Sequence, residues 1–255
     1  MASRKWLFFI CFGVILALAA CAAGDRALKK ERAKASRDLG EAYMSQKAYT
    51  RALREFLKAE QIYAKDPFLQ NDLGLAYMSK KQYDKAISHF QYALELKPDF
   101  SPARNNLGAA YMEKENWDAA IECFKAVKDD LLYATPHFPL TNLGFIAYHR
   151  GNYDQAVSYY KEALDLMPGF PKALHGLGQV YMETGAYDKA VDVLEKAAEK
   201  APDQTRIHVD LGRAYRNIHE YNKAYETFKK AAAMGKDTKW GEKAEQMAEE
   251  VWRFE

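Results

Sequence analysis

Strand-forming sequence is missing from this chain of 255 residues: no run rich in Val, Ile and Thr alternates with period two, while Ala, Leu, Lys and Glu abound. That excludes a β-rich fold and points to helices throughout. Cysteine is scarce. Of the three present, Cys11 and Cys21 fall in or just after an N-terminal apolar run, which leaves Cys123 alone in the body of the chain. No intramolecular disulfide can form there, so packing must supply the stability. Cys123 lies one residue before an aromatic core position and is read as a buried, inert thiol. Beyond Trp6 to Ala20 there is no long hydrophobic run, and that one is short for a membrane-spanning helix. P-loop, zincin, paired CxxC, nucleophile-elbow and EF-hand patterns do not occur. The six histidines (His89, His137, His149, His175, His208 and His219) include no i, i+4 pair and no acidic partner at metal-ligand spacing. These absences argue against an enzyme and against a metal, a cofactor or a small-molecule substrate.

A charge excess is lacking as well. Without Arg4 and Lys5, which precede the apolar run, 35 basic residues face 35 acidic ones, so net charge offers no footprint for nucleic acid. The one local excess is Arg26, Lys29, Lys30, Arg32 and Lys34 against Asp25 and Glu31. It is read as a solvated tether or first helical turn, the alternative being contact with anionic lipid headgroups. With 49% hydrophobic and 28% charged residues the chain can bury enough apolar surface to form an ordered, soluble body.

Arg4, Lys5 and the apolar run read as an export signal over residues 1–20. The run ends in Leu18-Ala19-Ala20-Cys21, which resembles the lipobox of bacterial lipoproteins. The resemblance implies that cleavage makes Cys21 the first residue of the mature chain and that it carries three palmitate-type acyl chains. Multiple acylation anchors stably where a single chain is marginal. Ala22, rather than Asp, follows; under the enterobacterial sorting rule this implies the outer membrane, with the body on its periplasmic face. Ordinary cleavage with Cys21 incidental, or an uncleaved anchor, are the alternatives. Residues 21–32 would form the lipidated N-terminus and tether.

Gly40, Gly74, Gly108, Gly144, Gly178 and Gly212 each follow a Leu, at spacings of 34, 34, 36, 34 and 34. If each glycine is position 8, position 20 is Ala in every repeat (Ala52, Ala86, Ala120, Ala156, Ala190, Ala224), and position 24 is Phe56, Phe90, Phe124, Tyr160, Leu194 and Phe228. Aromatic residues occupy position 11 in all but the fourth repeat, which has Ala147 there and Tyr148 one place later. The pattern resembles the tetratricopeptide repeat (TPR) family, whose 34-residue unit is helix A, turn, helix B. The fold expected is all-α: a right-handed superhelical TPR solenoid of six helix-turn-helix repeats (33–66, 67–100, 101–136, 137–170, 171–204 and 205–238) with a capping helix over 239–255. Small residues at positions 8 and 20 let the two helices approach, and rings at 11 and 24 fill the space beside them. Pro98, Pro168 and Pro202 at position 32 end helix B, Pro67 does the same at the first junction, and Gly235 is a glycine stop. Ala244, Met247, Ala248 and Val251 recur at helical spacing, as a lid over the last apolar face requires.

In TPR proteins the concave face is lined by helix A at positions 2, 5, 9 and 12. By resemblance, the partner-binding groove comprises Phe68, Asn71, Leu75 and Met78 of repeat two, Asn105, Ala109 and Met112 of repeat three, and Phe138, Thr141, Phe145 and Tyr148 of repeat four. Flanking repeats place Lys34, Arg37, Glu41, Lys172, His175, Gln179, Arg206, Arg213 and Arg216 there, and an apolar centre within a polar rim is interface anatomy. Asn71 and Asn105 could each donate to and accept from a ligand backbone. The bland reading is that the Met and Phe side chains pack only between neighbouring helices A. Six such repeats behind a lipobox, with Asn105-Asn106 opening repeat three and a lengthened Asp129 to Pro136 junction, resemble the type IV pilus pilotins of the PilF/PilW/Tgl kind. That resemblance implies a non-enzymatic lipoprotein that binds an outer-membrane secretin and helps it assemble. A periplasmic TPR adaptor recruiting cell-wall enzymes or proteases is the alternative.

Overall fold

The computed structural model describes the backbone of residues 2–130 and 132–252 and the side chains of 24–130 and 132–252. The side chains of the expected signal segment and of Cys21 lie outside the described residues. Thirteen α-helices and no strand occur among those described. They divide into two bodies, residues 1–116 and 117–255. The first holds α1 (Ala2–Ser45), α2 (Tyr49–Ile62), α3 (Pro67–Ser79), α4 (Tyr83–Leu96) and α5 (Ser101–Glu113). The second holds α6 (Trp117–Lys128), α7 (His137–His149), α8 (Tyr153–Leu166), α9 (Pro171–Glu183), α10 (Tyr187–Lys200), α11 (Thr205–Asn217), α12 (Tyr221–Met234) and α13 (Lys239–Trp252). No helix among the described residues is long and apolar enough to cross a membrane.

Five of the repeats are each built on one close approach. In repeat two the Phe90 ring fills the space where a side chain on Gly74 would stand, and Phe56 does the same at Gly40, Leu194 at Gly178 and Phe228 at Gly212. All six alanines at position 20 are fully buried. Tyr160 is the one ring of its set with a hydroxyl, and it is gripped from two sides: by Gly144 of its own repeat and by Gly176 of the next, where an added Cβ would lie 2.6 Å from the hydroxyl oxygen. Gly176 is thus the complement of a tyrosine in place of phenylalanine.

Position 15 ends helix A in all six repeats with a left-handed residue: Lys47, Lys81, Glu115, Gly151, Gly185 and His219, with φ between 57° and 73°. The next amide reaches back to the carbonyl of position 11, as Gln82 does to Tyr77 at 2.9 Å, and the left-handed residue's own amide bonds position 12. This pair of bonds closes the Schellman motif. Only two of the six are glycine, so the turn is held by its hydrogen bonds at residues that pay a conformational cost.

Helix B stops where proline was expected to stop it. Lys97, Met167 and Ala201 precede Pro98, Pro168 and Pro202, and each leaves the helix at φ of −145°, −143° and −139°, as the clash with a following proline ring requires. Two punctuation readings are corrected. Pro67 starts α3 rather than ending α2, because it stands in the first helical turn, where its missing N–H is harmless, while the Asp66 side chain accepts the Phe68 amide. Gly235 has φ −93°, and the left-handed residue is Asp237; Gly235 is small because the backbone of Gly241 packs against it.

Residues 24–32, read as a tether, continue the same helix as repeat one and are exposed. Leu39 is 44% exposed whereas its five counterparts are buried, since among the described residues α1 packs on α2 and α3 and no repeat precedes it there. Cys123 is half-buried rather than buried, because Phe124 takes the inward position. The α13 residues Ala244, Ala248 and Val251 are buried against the last pair, among Val209, Leu211, Phe228 and Ala231.

The grip on Tyr160 yields a prediction: Gly176→Ala forces the buried ring to move and should cost roughly 1–3 kcal/mol. Thermal melting of purified protein checks it, and an unchanged Tm would mean the ring has free space beside it.

Candidate functional site

The helix A residues singled out above separate into exposed rings and engaged polar groups. In the first body Phe68 is 46% exposed; Phe100 meets it edge-on at 5.0 Å, and the Arg37 guanidinium and Lys97 ammonium sit 5.7 and 5.3 Å from its centroid. Leu75, Met78, Ala109 and Met112 are half-buried. Asn71 is buried and accepts a 2.9 Å hydrogen bond from Asn106 Nδ2, so its carbonyl is engaged within the fold rather than open to a ligand. Asn105 is half-buried, with a buried Oδ1 that has no hydrogen-bond partner among the described residues.

In the second body, Phe138 is 38% and Phe145 37% exposed. Phe138 packs edge-on to Phe170 at 5.3 Å and beside His137 at 4.5 Å. Phe145 lies 4.2 Å from the His149 ring, and His149 stacks on Trp117 at 6.1 Å. Tyr148, half-buried, adds its edge to His149, and burial pushes its phenol above the ordinary range. Thr141 is the exception: it is buried, and its hydroxyl donates to the His137 carbonyl at 2.7 Å, so it offers nothing to a partner. Helix α7 therefore presents aromatic rings at both ends. Sequence reasoning missed Trp117 and His149, although His149 follows Phe145 by one helical turn and shares its face.

A second feature went unread. Position 5 of one repeat pairs with position 6 of the next: Arg37 approaches Asp72 at 3.8 Å, Asn71 pairs with Asn106, and His175 meets Asp210 at 2.8 Å. These polar groups lie between adjacent helices A, where leaving them unpaired would be costly. Asp210 is buried. Burial works against its charge, but His175, bonded to Oδ2, and the nearby Arg213 and Arg206 hold its carboxyl below the usual range. Gln179 and Arg213 complete its partners at 3.2 and 3.1 Å. A carboxylate so fully occupied is structural.

Asp72 is the opposite case. Burial first, and then the Glu41 carboxylate, push it from 3.8 to about 7, against the pull of Arg37. Arg37 is shared with Asp66 at 2.9 Å and Glu41 at 3.1 Å, which leaves Asp72 poorly compensated. Among the described residues no three His, Cys, Asp or Glu side chains converge as a metal site.

A tetratricopeptide repeat family model matches residues 77–131, 147–208 and 185–241, and a second one residues 16–67. The chain belongs to the tetratricopeptide repeat family. Proteins built from these repeats act as scaffolds for protein–protein interaction and are generally not enzymes. No curated protein matches the sequence. The fold is similar to that of PilW, a widely conserved type IV pilus biogenesis factor, at a TM-score of 0.74 and 23% identity over 83% of this chain and 97% of that one. It is similar to PilF of Pseudomonas aeruginosa at 0.74 and 16% identity, over 86% and 98%. It is also similar to the APC/C hetero-tetramer Cut9–Hcn1 at 0.77 and 18%, over 87% of this chain but 43% of that one. At these identities the likeness is one of fold.

The Asp72 site predicts a pH signature. The folded carboxyl titrates above its unfolded value, so relative to a neutral side chain Asp72 costs nothing below about pH 4, and its cost grows until about pH 7. Asp72→Asn should therefore raise Tm at pH 8, with a gain that shrinks steadily toward pH 4. A gain independent of pH would contradict the assignment.

Proposed function

We propose that this TPR protein is a lipid-anchored assembly factor of type IV pili, a pilotin that binds the outer-membrane secretin through helix A residues, those of repeat four among them, and promotes its multimerisation. The observation that carries the reading is the exposure of Phe138 and Phe145 on α7. Exposed large rings on one face of a scaffold are surface that a partner covers with a favourable free energy of about 25 cal/mol per Å² of apolar area. The likeness in fold to PilW and PilF, which covers 83% and 86% of this chain and 97% and 98% of theirs, supports the choice of pathway. The Leu18 to Cys21 run supports the anchor, and Ala22 supports the outer membrane as the destination. Anchoring at Cys21 would hold the repeats beside a membrane-embedded partner and raise its effective concentration.

Two measurements test this reading. Cys21→Ser should abolish metabolic labelling with an acyl probe and release the protein from the membrane fraction; label retained by the variant would refute the anchor. Phe145→Arg puts an unpaired charge into the contact while sparing the fold, since the ring lies outside the helix A–helix B core. It should cut secretin multimers in the outer membrane severalfold, as loss of an interface aromatic at about 2 kcal/mol or more implies, with the circular dichroism melt unchanged. Normal multimers from a folded, membrane-located variant would remove this face from the mechanism.

A further inference from the structure

Beside the exposed ring of Phe138, on the same body, lies a cavity of about 460 Å³, within the range of about 300–1,000 Å³ typical of ligand sites. Phe170, Pro171 and Ile207 give it apolar walls, and Lys172 and Arg206 give it a cationic side, with His175 also in the lining; no acidic residue lines it. Phe170 belongs to both features, because it walls the cavity and meets Phe138 edge-on at 5.3 Å. Phe170 thus links the ring on α7 to the cavity wall.

The cations differ from the others on this face. Arg213 is held by Asp210 and Arg216 by Glu250. No carboxylate among the described residues is within ion-pair distance of Lys172 or Arg206. Lys172 is exposed, and Arg206, which acts on the buried Asp210 carboxyl without an ion pair, stands over the Trp240 ring at 5.2 Å, which orients the guanidinium. His175 is committed to Asp210 and anchors the cavity wall.

Resting on the reading of this face as a protein-binding surface, we propose that repeats four to six bind an acidic–apolar segment of the partner polypeptide. A bulky apolar side chain enters the cavity beside Phe138 and Phe170, and Asp or Glu side chains next to it meet Lys172 and Arg206. Charge complementarity selects this occupant, since a basic segment would face two cations that lack an ion-pair partner and a wholly apolar one would leave them partly desolvated and unpaired.

The test uses the full-length protein in detergent and fluorescence anisotropy with two short blocked peptides: a phenylalanine followed by two aspartates, and its twin with asparagines. The aspartate peptide should bind about tenfold more tightly at low salt, and the gap should close at high salt. Lys172→Gln should narrow the gap, and Lys172→Gln with Arg206→Gln should abolish it. Because Arg206 packs on Trp240, the single variant at Lys172, whose ammonium has no such contact, keeps the test valid if the double variant melts early. Equal binding of the two peptides, or binding of neither, overturns the inference even if Phe145→Arg abolishes secretin multimers. Selective binding of the aspartate peptide, combined with normal multimers in Phe145→Arg, would sustain the acidic–apolar site and remove the secretin reading instead.

Discussion

The distance between helix A and helix B within a repeat governs the rest of this structure. Gly74 under Phe90, Gly144 under Tyr160 and Gly212 under Phe228 let the two helices come so close that a methyl group would not fit between glycine and ring. With the alanines of position 20 and the rings of position 24 buried, the intra-repeat core is complete. Helix A then has a whole face, positions 2, 5, 9 and 12, with no duty inside its own repeat. That face is what the protein has available for recognition.

How the face is used varies along the chain. Asn71 pairs with Asn106 and His175 with Asp210 between neighbouring helices A, because a half-buried polar atom without a partner is expensive, whereas Asn105 keeps a buried Oδ1 with no hydrogen-bond partner among the described residues. Arg37, shared among Asp66, Glu41 and Asp72, cannot serve all three, and Asp72 carries the deficit as a raised pKa. Where the residues are aromatic they stay partly open, at Phe68, Phe138 and Phe145. Pairing fixes neighbouring helices A, and these rings are left partly exposed.

The repeat and its core were legible from sequence because they depend on residues of one repeat read at fixed offsets: the Leu-Gly pair, Ala at position 20, a ring at position 24. The helix A face was legible only as a set of positions. Asn71 and Thr141 fell within that set, yet both are buried and engaged, and only the neighbouring helix, or for Thr141 the His137 carbonyl one turn back, decides this. The ladder from position 5 to position 6 crosses repeats, and a pattern aligned within one repeat cannot reveal it. The left-handed residue at position 15 was hidden by its chemistry, since Lys81, Glu115 and His219 carry none of the glycine signal that Gly151 and Gly185 do. Pro67 was misread because a proline between two helices can end one or begin the next; the Asp66 cap decides for the second.

A partner of the proposed kind would cover the helix A face of repeat four and leave its helix B face bare. Site-specific photo-crosslinking in living cells tests it most directly, with the photoreactive residue placed once at Phe145 on α7 and once at Glu162, exposed on α8. The account predicts a crosslink to the outer-membrane secretin from position 145 and none from position 162. A secretin crosslink from position 162 with none from position 145 would contradict it.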